Sequence, residues 1–491
     1  MSREEVQKSS KKWFPLANGG NFRKWYGHHE DLVLWENDGL ILRTERVAEG
    51  DRIRATNHNL DVIFSSGVTW TSVSSSFFGV RLLPKGFIFS SVSSSLFSNK
   101  HDTDALLALL NSKVAPVLVN LLNPTVHFNP GDISRIPFVG SPNLTGDVSR
   151  IGRDCSSLAK ADWDSCEKSW DFQEIPMCRH SATTVGGAQA GADAECMSRF
   201  HQMKRLEEEN NCLFIDTYGL RDELSPEVPD EQITLYRPDH GEDIKRLLSY
   251  AIGCTMGRYS LGKPGLIYAR SGNQGFDPNQ YKKFRAHDNG IIPLLETDWG
   301  IRDDATNRIV EFVGVVWPKE HLQENLKFIA DSLGPNNGEQ PRDTIRRYLA
   351  TGFYKHHLSM YRKRPIYWLF SSGKQRAFQC LVYLHRYHEG TLARMRTEYV
   401  IPLQGQIAAR IEQLEGDKAK ATSTSHRRKL QKEQDDLKKQ QAELATFEEK
   451  LKHAADQRIN LDLDDGVKVN YAKFGNLLAE AKAVTGGKDE E

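Results

Sequence analysis

GVTWTSVSSSFFGVRLLPKGFIFSSVSSSLF, residues 67 to 97, decides the fold class of the first third of this chain. It is rich in Val, Thr, Trp, Phe and Ile, and is punctuated by Ser, Gly and Pro, which is the composition of short strands joined by turns. Phe77 to Leu83 and Phe87-Ile88-Phe89 flank Pro84-Lys85-Gly86, a pattern that predicts a hairpin. Upstream, Leu32-Val33-Leu34-Trp35 and Leu40-Ile41-Leu42 flank Asn37-Asp38-Gly39 and predict another. Residues 11 to 140 therefore read as a strand-rich unit.

Working outward, the period changes at Thr103, taken as an N-cap: DALLALLNSKVAPVLVNLL predicts a buried helix that bends or restarts at Pro116. Residues 145 to 256 are helical and charge-mixed, with Gly186 to Ala192 read as a loop or mobile insertion near 180 to 195. From Gly265 to Trp317 short apolar runs alternate with turns, and Pro341 to Tyr399 reads as helix rich in basic and aromatic residues. After Pro402, Leu430, Leu437, Leu444 and Leu451 recur every seventh position. Gln434, Gln441 and Glu448 occupy the other seam position, so the expectation is an antiparallel long-helix hairpin packed on Ile407, Ile411 and Leu414. The fold class expected is α+β, divided at 1–140, 141–262, 263–400 and 401–491.

At 491 residues the chain is too long for one ordinary core. No run reaches the roughly 18 apolar residues of a membrane helix, and the N-terminus has no apolar signal segment. The seven cysteines form no C-x-x-C pair, which suits reduced thiols and a cytoplasmic location. Sixty-five basic against 65 acidic residues leave zero net charge, so any nucleic-acid surface must be local.

Several chemistries are not spelled out. Asn123-Pro124-Thr125, Asn129-Pro130-Gly131 and Asp277-Pro278-Asn279 fall short of the Asn- or Asp-Pro-Pro-aromatic loop that grips a flipped adenine. Ser371-Ser372-Gly373-Lys374-Gln375 has Gly-Lys without the upstream glycine or following hydroxyl of a phosphate loop. His385 and His388 lack the spacing of a zinc hydrolase, as do the pairs His28-His29 and His356-His357. Pro238-Asp239 and Glu242-Asp243-Ile244-Lys245 hold their carboxylates too close together for a magnesium nuclease. No catalytic, metal or cofactor-binding residue is assigned.

Two features suit DNA. Lys12, Arg23, Lys24 and Trp25 lie where cations, aromatics and glycines interleave, a mixture that reaches phosphates and equally suits an ordinary aromatic turn. Ser72 to Ser76 recurs as Ser91 to Ser95, each beside an aromatic strand. Short hydroxyl side chains at Thr69, Thr71, Ser74, Ser75 and Ser76, with Trp70, can approach base edges, although on chemistry alone edge-strand and turn sequence is the stronger reading. In the second half Arg346, Arg347, Lys355, Arg362, Lys363 and Arg364 form a basic cluster for phosphates.

Longer blocks carry a resemblance. WFPLANGGNFRKWYGHHEDLVLWENDG, the opening stretch above and LLNPTVHFNPGDISRIPF resemble the target-recognition domain of the PglX family, adenine-specific methyltransferases of BREX phage-defence systems. DWDSCEKSWDF, FIDTYGLRDELSPEVPD, LLSYAIGCTMGRYSL, RPIYWLFSSGKQRAFQCLVYLHRYH and NLDLDDGVKVNYAKFG resemble successive stretches of the same family. The resemblance implies double-stranded DNA as a partner and sequence readout in the first 140 residues. It also implies a catalytic methyltransferase half, or other phage-defence proteins, acting with this chain, and S-adenosylmethionine bound by that half. A stand-alone DNA-binding specificity or scaffold subunit without a methylation role is the alternative.

Overall fold

The computed structural model describes residues 3–46, 53, 55, 58–139 and 142–486; the boundary expected at 140 and 141 lies outside them. Helices and small sheets make an α+β protein that divides into two compact units. The first contains Met1–Asp171 and Asp193–Pro238, the second Phe172–Ala192 and Asp239–Glu491.

In the first unit β1 (Trp13–Ala17) pairs antiparallel with β2 (Asp31–Leu34). A second sheet has β3 (Gly67–Thr71) at its centre, antiparallel to both β4 (Val80–Leu83) and β6 (Ser93–Leu96). The strand β5 (Ile88–Phe89) joins the first sheet, parallel to β1. The strands are present, but neither expected hairpin forms. Asn37, Asp38 and Gly39 do turn, with φ of 52°, 59° and 71°, and they lie inside the helix Glu36–Thr44 instead of returning the chain along β2. At Pro84-Lys85-Gly86 the Gly86 amide donates to the Phe64 carbonyl and the Phe64 amide to the Phe87 carbonyl, at 2.9 Å each. Those bonds occupy the turn and steer β5 away from β4 to the other sheet.

The helices Thr103–Leu110 and Val114–Leu122 meet at 75°. Asp102, not Thr103, is the N-cap, and the restart precedes Pro116. Pro116 sits in the first turn of the new helix, where its missing N–H costs nothing. The break is fixed by Asn111, whose carboxamide accepts from the Val80 amide and donates to the Val80 carbonyl, both at 2.9 Å. No single helix among the described residues is long and apolar enough to cross a membrane; this bent pair passes by length and composition, and Leu107, Leu109, Leu110, Val114 and Val119 of it lie in the first unit's cores while Leu121 is exposed.

Gly186 to Ala192, expected as a loop, lies in the first turns of the helix Val185–Tyr218. Its small residues serve close packing: a Cβ on Gly191 would sit 3.0 Å from the His180 ring, and one on Gly186 3.3 Å from Phe328. In the second unit Pro341–Thr351 and Phe353–Met360 are helical as expected. Residues 367 to 383 are instead the hairpin of β8 (Tyr367–Ser371) and β9 (Gln379–Tyr383), with β7 (Ile291–Pro293) against the other edge of β9. Nearly every residue of β8 and β9 is buried, which erases the alternation that would have marked them as strands. The helices Ile401–Lys420 and Thr424–Asp456 form the expected long hairpin, burying Leu430, Leu437, Leu444 and Leu451 with Ile407 and Leu414. Gln434 is tolerated in that seam because its amide donates to Glu415 at 2.6 Å.

Candidate functional site

The serine repeats converge at one end of the β3 sheet. The Ser72 amide donates to the Val92 carbonyl at 2.9 Å, and the Ser72 hydroxyl donates to the Ser91 carbonyl at 2.9 Å and lies 2.8 Å from the Ser94 hydroxyl. A third segment, 123–128, closes on them through Ser74 N–H to Val126 O at 3.1 Å and Phe128 N–H to Ser72 O at 2.9 Å. The glycine-aromatic segment arrives from the other side: Thr71 Oγ1 accepts from the Gly20 amide at 3.2 Å and donates to its carbonyl at 3.1 Å. Four stretches distant in sequence thus frame one surface.

That surface is unusual in what it exposes. Val73, Phe77, Val92 and Val126 are each half exposed, at 50 to 53%. Ser75 and Ser76 are exposed among them, and Ser74 is partly so. Apolar side chains exposed near one another on hydrogen-bonded loops are common at interaction surfaces. Beside them opens a cavity of about 210 Å³ lined by Phe22, Phe77, Phe78 and Phe128, with Lys24, Ser76, Asn111, Asn211 and Glu207. Phe22 and Phe77 lie 5.3 Å apart. The Asn111 and Asn211 carboxamides are spent on backbone groups, and Lys24 and Glu207 pair with each other. Four aromatic side chains thus line the cavity, together with polar groups that are mostly already paired.

Several residues expected at DNA belong to the interior. Lys24 is buried and paired with Glu207, which also accepts from the Trp25 indole at 2.7 Å. Trp25 is fully enclosed and backbone-paired to β4 through Val80 and Leu82. Thr69 is buried against Ser93, and the buried Trp70 indole donates to the Phe128 carbonyl at 2.8 Å. Arg23 pairs with Asp162 at 2.9 Å and stacks over Trp163. Arg346 is buried between Asp304 and Asp298, and Arg347 is forked onto Glu339 at 2.9 and 3.0 Å. In each case a group of the chain itself, eight residues away for Arg347 and farther for the others, holds the atoms that a phosphate or base would need. Lys12, Lys355, Arg362, Lys363 and Arg364 are exposed. The last three occupy the turn after the helix Phe353–Met360, with φ of 49° at Arg362 and 61° at Lys363.

Under the sheet, burial pushes His29 down to about 3, helped by the Arg81 and Arg23 charges, and burial lowers Arg81 to about 10. Phe22, Val73, Phe77, Val92 and Val126 are the members of the surface that sequence reading did not assign to it. The Asn123-Pro124-Thr125 turn was the one visible signal for the third segment: Asn123 donates to Asp132 at 2.9 Å and fixes the loop that presents Val126.

No family model matches the chain. Two curated relatives do. The adenine-specific methyltransferase BrxX of Escherichia coli O9:H4 (strain HS) is 41% identical over 100% of this chain and 42% of its own length. The adenine-specific methyltransferase PglX of Lacticaseibacillus casei (strain Zhang) is 40% identical over 97% of this chain and 39% of its own length. The chain is of the PglX/BrxX type. It spans about two fifths of the length of these relatives, and the match runs through both units.

Proposed function

We propose that this chain serves site-specific adenine methylation of double-stranded DNA, and that its first unit reads the target sequence. The observation that carries the reading is the surface where Ser74 to Ser76, Val73, Phe77, Val92 and Val126 are exposed together on loops clamped to one another. Hydroxyls accept from or donate to base edges, and valine side chains fit against thymine methyl groups. The aromatic slot beside them suits a base unstacked from its helix, because stacking tolerates any π-face. The chemistry itself, donor binding and methyl transfer from S-adenosylmethionine, belongs in this reading to a catalytic half acting with the chain, in keeping with what the two relatives are called.

Exposed cations then hold the backbone without reading it: Lys12 in the first unit, and the turn Arg362-Lys363-Arg364 in the second. The test is mapping of methylated adenines in cells whose methylation system carries S74A, S75A and S76A together. A changed or relaxed motif supports the reading. An unchanged motif at unchanged relative efficiency overturns it, and unchanged methylation with lost DNA retention would favour a scaffold role.

A further inference from the structure

The Gly-Lys turn that fails as a phosphate loop has a different construction in the folded second unit. Gly373, at φ 141°, lies against Glu443 of the helix Thr424–Asp456 so closely that a Cβ would sit 2.7 Å from its carboxylate. That carboxylate accepts from the Gln375 amide at 2.7 Å, the Ala377 amide at 3.2 Å and the Ser372 hydroxyl at 2.7 Å. The protein's own anion fills the turn. What the clamp leaves available are side chains: Lys374 and Arg376 extend from a turn held by these three bonds.

Both border a cleft of about 470 Å³, lined also by Lys355 from the helix Phe353–Met360 and by Asn476, Leu478, Ala479 and Glu480. Among the described residues Lys355 and Lys374 have no hydrogen-bond or ion-pair partner, and Arg376 is held only by the exposed Glu296 at 2.9 Å. Gln379 lines the same cleft; its side chain is buried, 5% exposed, and its Oε1 lacks a partner. Glu480 adds a carboxylate to the wall, at a residue with φ 55°. An unmet buried acceptor is costly, and a donor entering from the cleft is one way to meet it.

We propose that this cleft binds a phosphate-bearing small molecule, with its phosphate on Lys355, Lys374 and Arg376 and a hydroxyl or amino donor on Gln379 and Glu480. The interior of a DNA backbone offers phosphate and ester oxygens, which only accept, so it satisfies the cations and leaves Gln379 unmet. A nucleoside monophosphate supplies both ends and fits the volume. Lys355, expected from sequence to grip DNA, is thereby assigned to the cleft. The proposal is independent of the recognition surface in the first unit.

Calorimetry on the whole chain distinguishes the sources, with inorganic phosphate, AMP and a short duplex as probes. AMP should bind more tightly than inorganic phosphate; K355A/K374A should weaken both by about tenfold or more, or 1.4 kcal/mol. Q379L should weaken AMP and leave inorganic phosphate unchanged. Unchanged unfolding midpoints in the variants exclude a folding defect. If neither small molecule binds at millimolar concentration, or if K355A/K374A binds both as the parent does, the proposal is overturned. If duplex alone binds and loses affinity in K355A/K374A, the cleft edge is a backbone contact and the small-molecule site is likewise refuted.

Discussion

Two basic segments look alike in sequence and differ in the folded chain. Arg23-Lys24-Trp25 in the first unit and Arg362-Lys363-Arg364 in the second both cluster cations beside aromatics. The first is enclosed: Lys24 meets Glu207, 183 residues away, and Arg23 meets Asp162, 139 residues away. The second is an exposed turn. The local run of cations does not decide which of them the fold encloses, and the carboxylates that enclose Lys24 and Arg23 lie beyond any local window of sequence.

The largest effect separates these segments. Removing one partner of a buried pair leaves the other charge uncompensated, at about 3 to 5 kcal/mol. Lys24→Ala should therefore destabilise the first unit by about that amount, and Arg346→Ala, which strands Asp304, should do the same in the second. Lys363→Ala should change stability by no more than about 0.5 kcal/mol. Urea unfolding followed by tryptophan fluorescence checks all three. If Lys24→Ala folds as well as the parent while losing DNA affinity, the enclosed reading of this segment is wrong.

Next comes pH. His29 is neutral in the folded first unit because burial, Arg81, Arg23 and Lys160 all oppose its charge. Its folded value, about 3, lies below the ordinary 6.5 of an unfolded chain, so the unfolded state takes up the proton first. Its contribution is intact above pH 6.5 and is lost as pH falls toward 3, by about 1.4 kcal/mol per pH unit. Denaturation series at pH 7.5, 6 and 5 should show this slope, reduced in His29→Leu. Equal slopes in parent and variant would remove His29 as the cause.

These cases also show what the sequence made legible. The leucines at 430, 437, 444 and 451 located the long hairpin, because a period of seven survives whatever the partner is. The strands around Thr69 and Val80 were visible from their composition, yet their pairing was not, since Phe64 at the Gly86 turn decides which sheet receives β5. Gly186 to Ala192 looked like a loop because glycine lowers helix propensity; the packing of Phe328 and His180 on those glycines overrides that. At the exposed loop surface of the first unit, Ser74 to Ser76 were legible as short hydroxyls. Val92 and Val126 were not, because only backbone bonds from Ser72 and Ser74 bring them there.

A smaller effect concerns readout. With S74A, S75A and S76A, each lost base contact should cost about 1 to 3 kcal/mol in discrimination between sites, without a comparable change in stability. Competition between cognate and altered duplexes measures it. Equal losses on every duplex would turn these hydroxyls into backbone anchors like those of the second unit.

The smallest effect belongs to Lys363. On the proposed reading its ammonium meets a phosphate, and phosphate contacts release counterions without carrying sequence information. Lys363→Ala should then lower affinity on all duplexes alike and flatten the log-log salt dependence by about 0.9, the share of one contact. Arg347→Ala is the control, since the Arg347 guanidinium is already forked onto Glu339. It should leave the salt slope unchanged, because a cation neutralised within the fold releases no counterion when DNA arrives. Fluorescence anisotropy between about 50 and 200 mM salt measures both slopes. A flattened slope for Arg347→Ala with none for Lys363→Ala would mean that DNA displaces the internal carboxylate, and that exposure in the free chain does not identify the contacts.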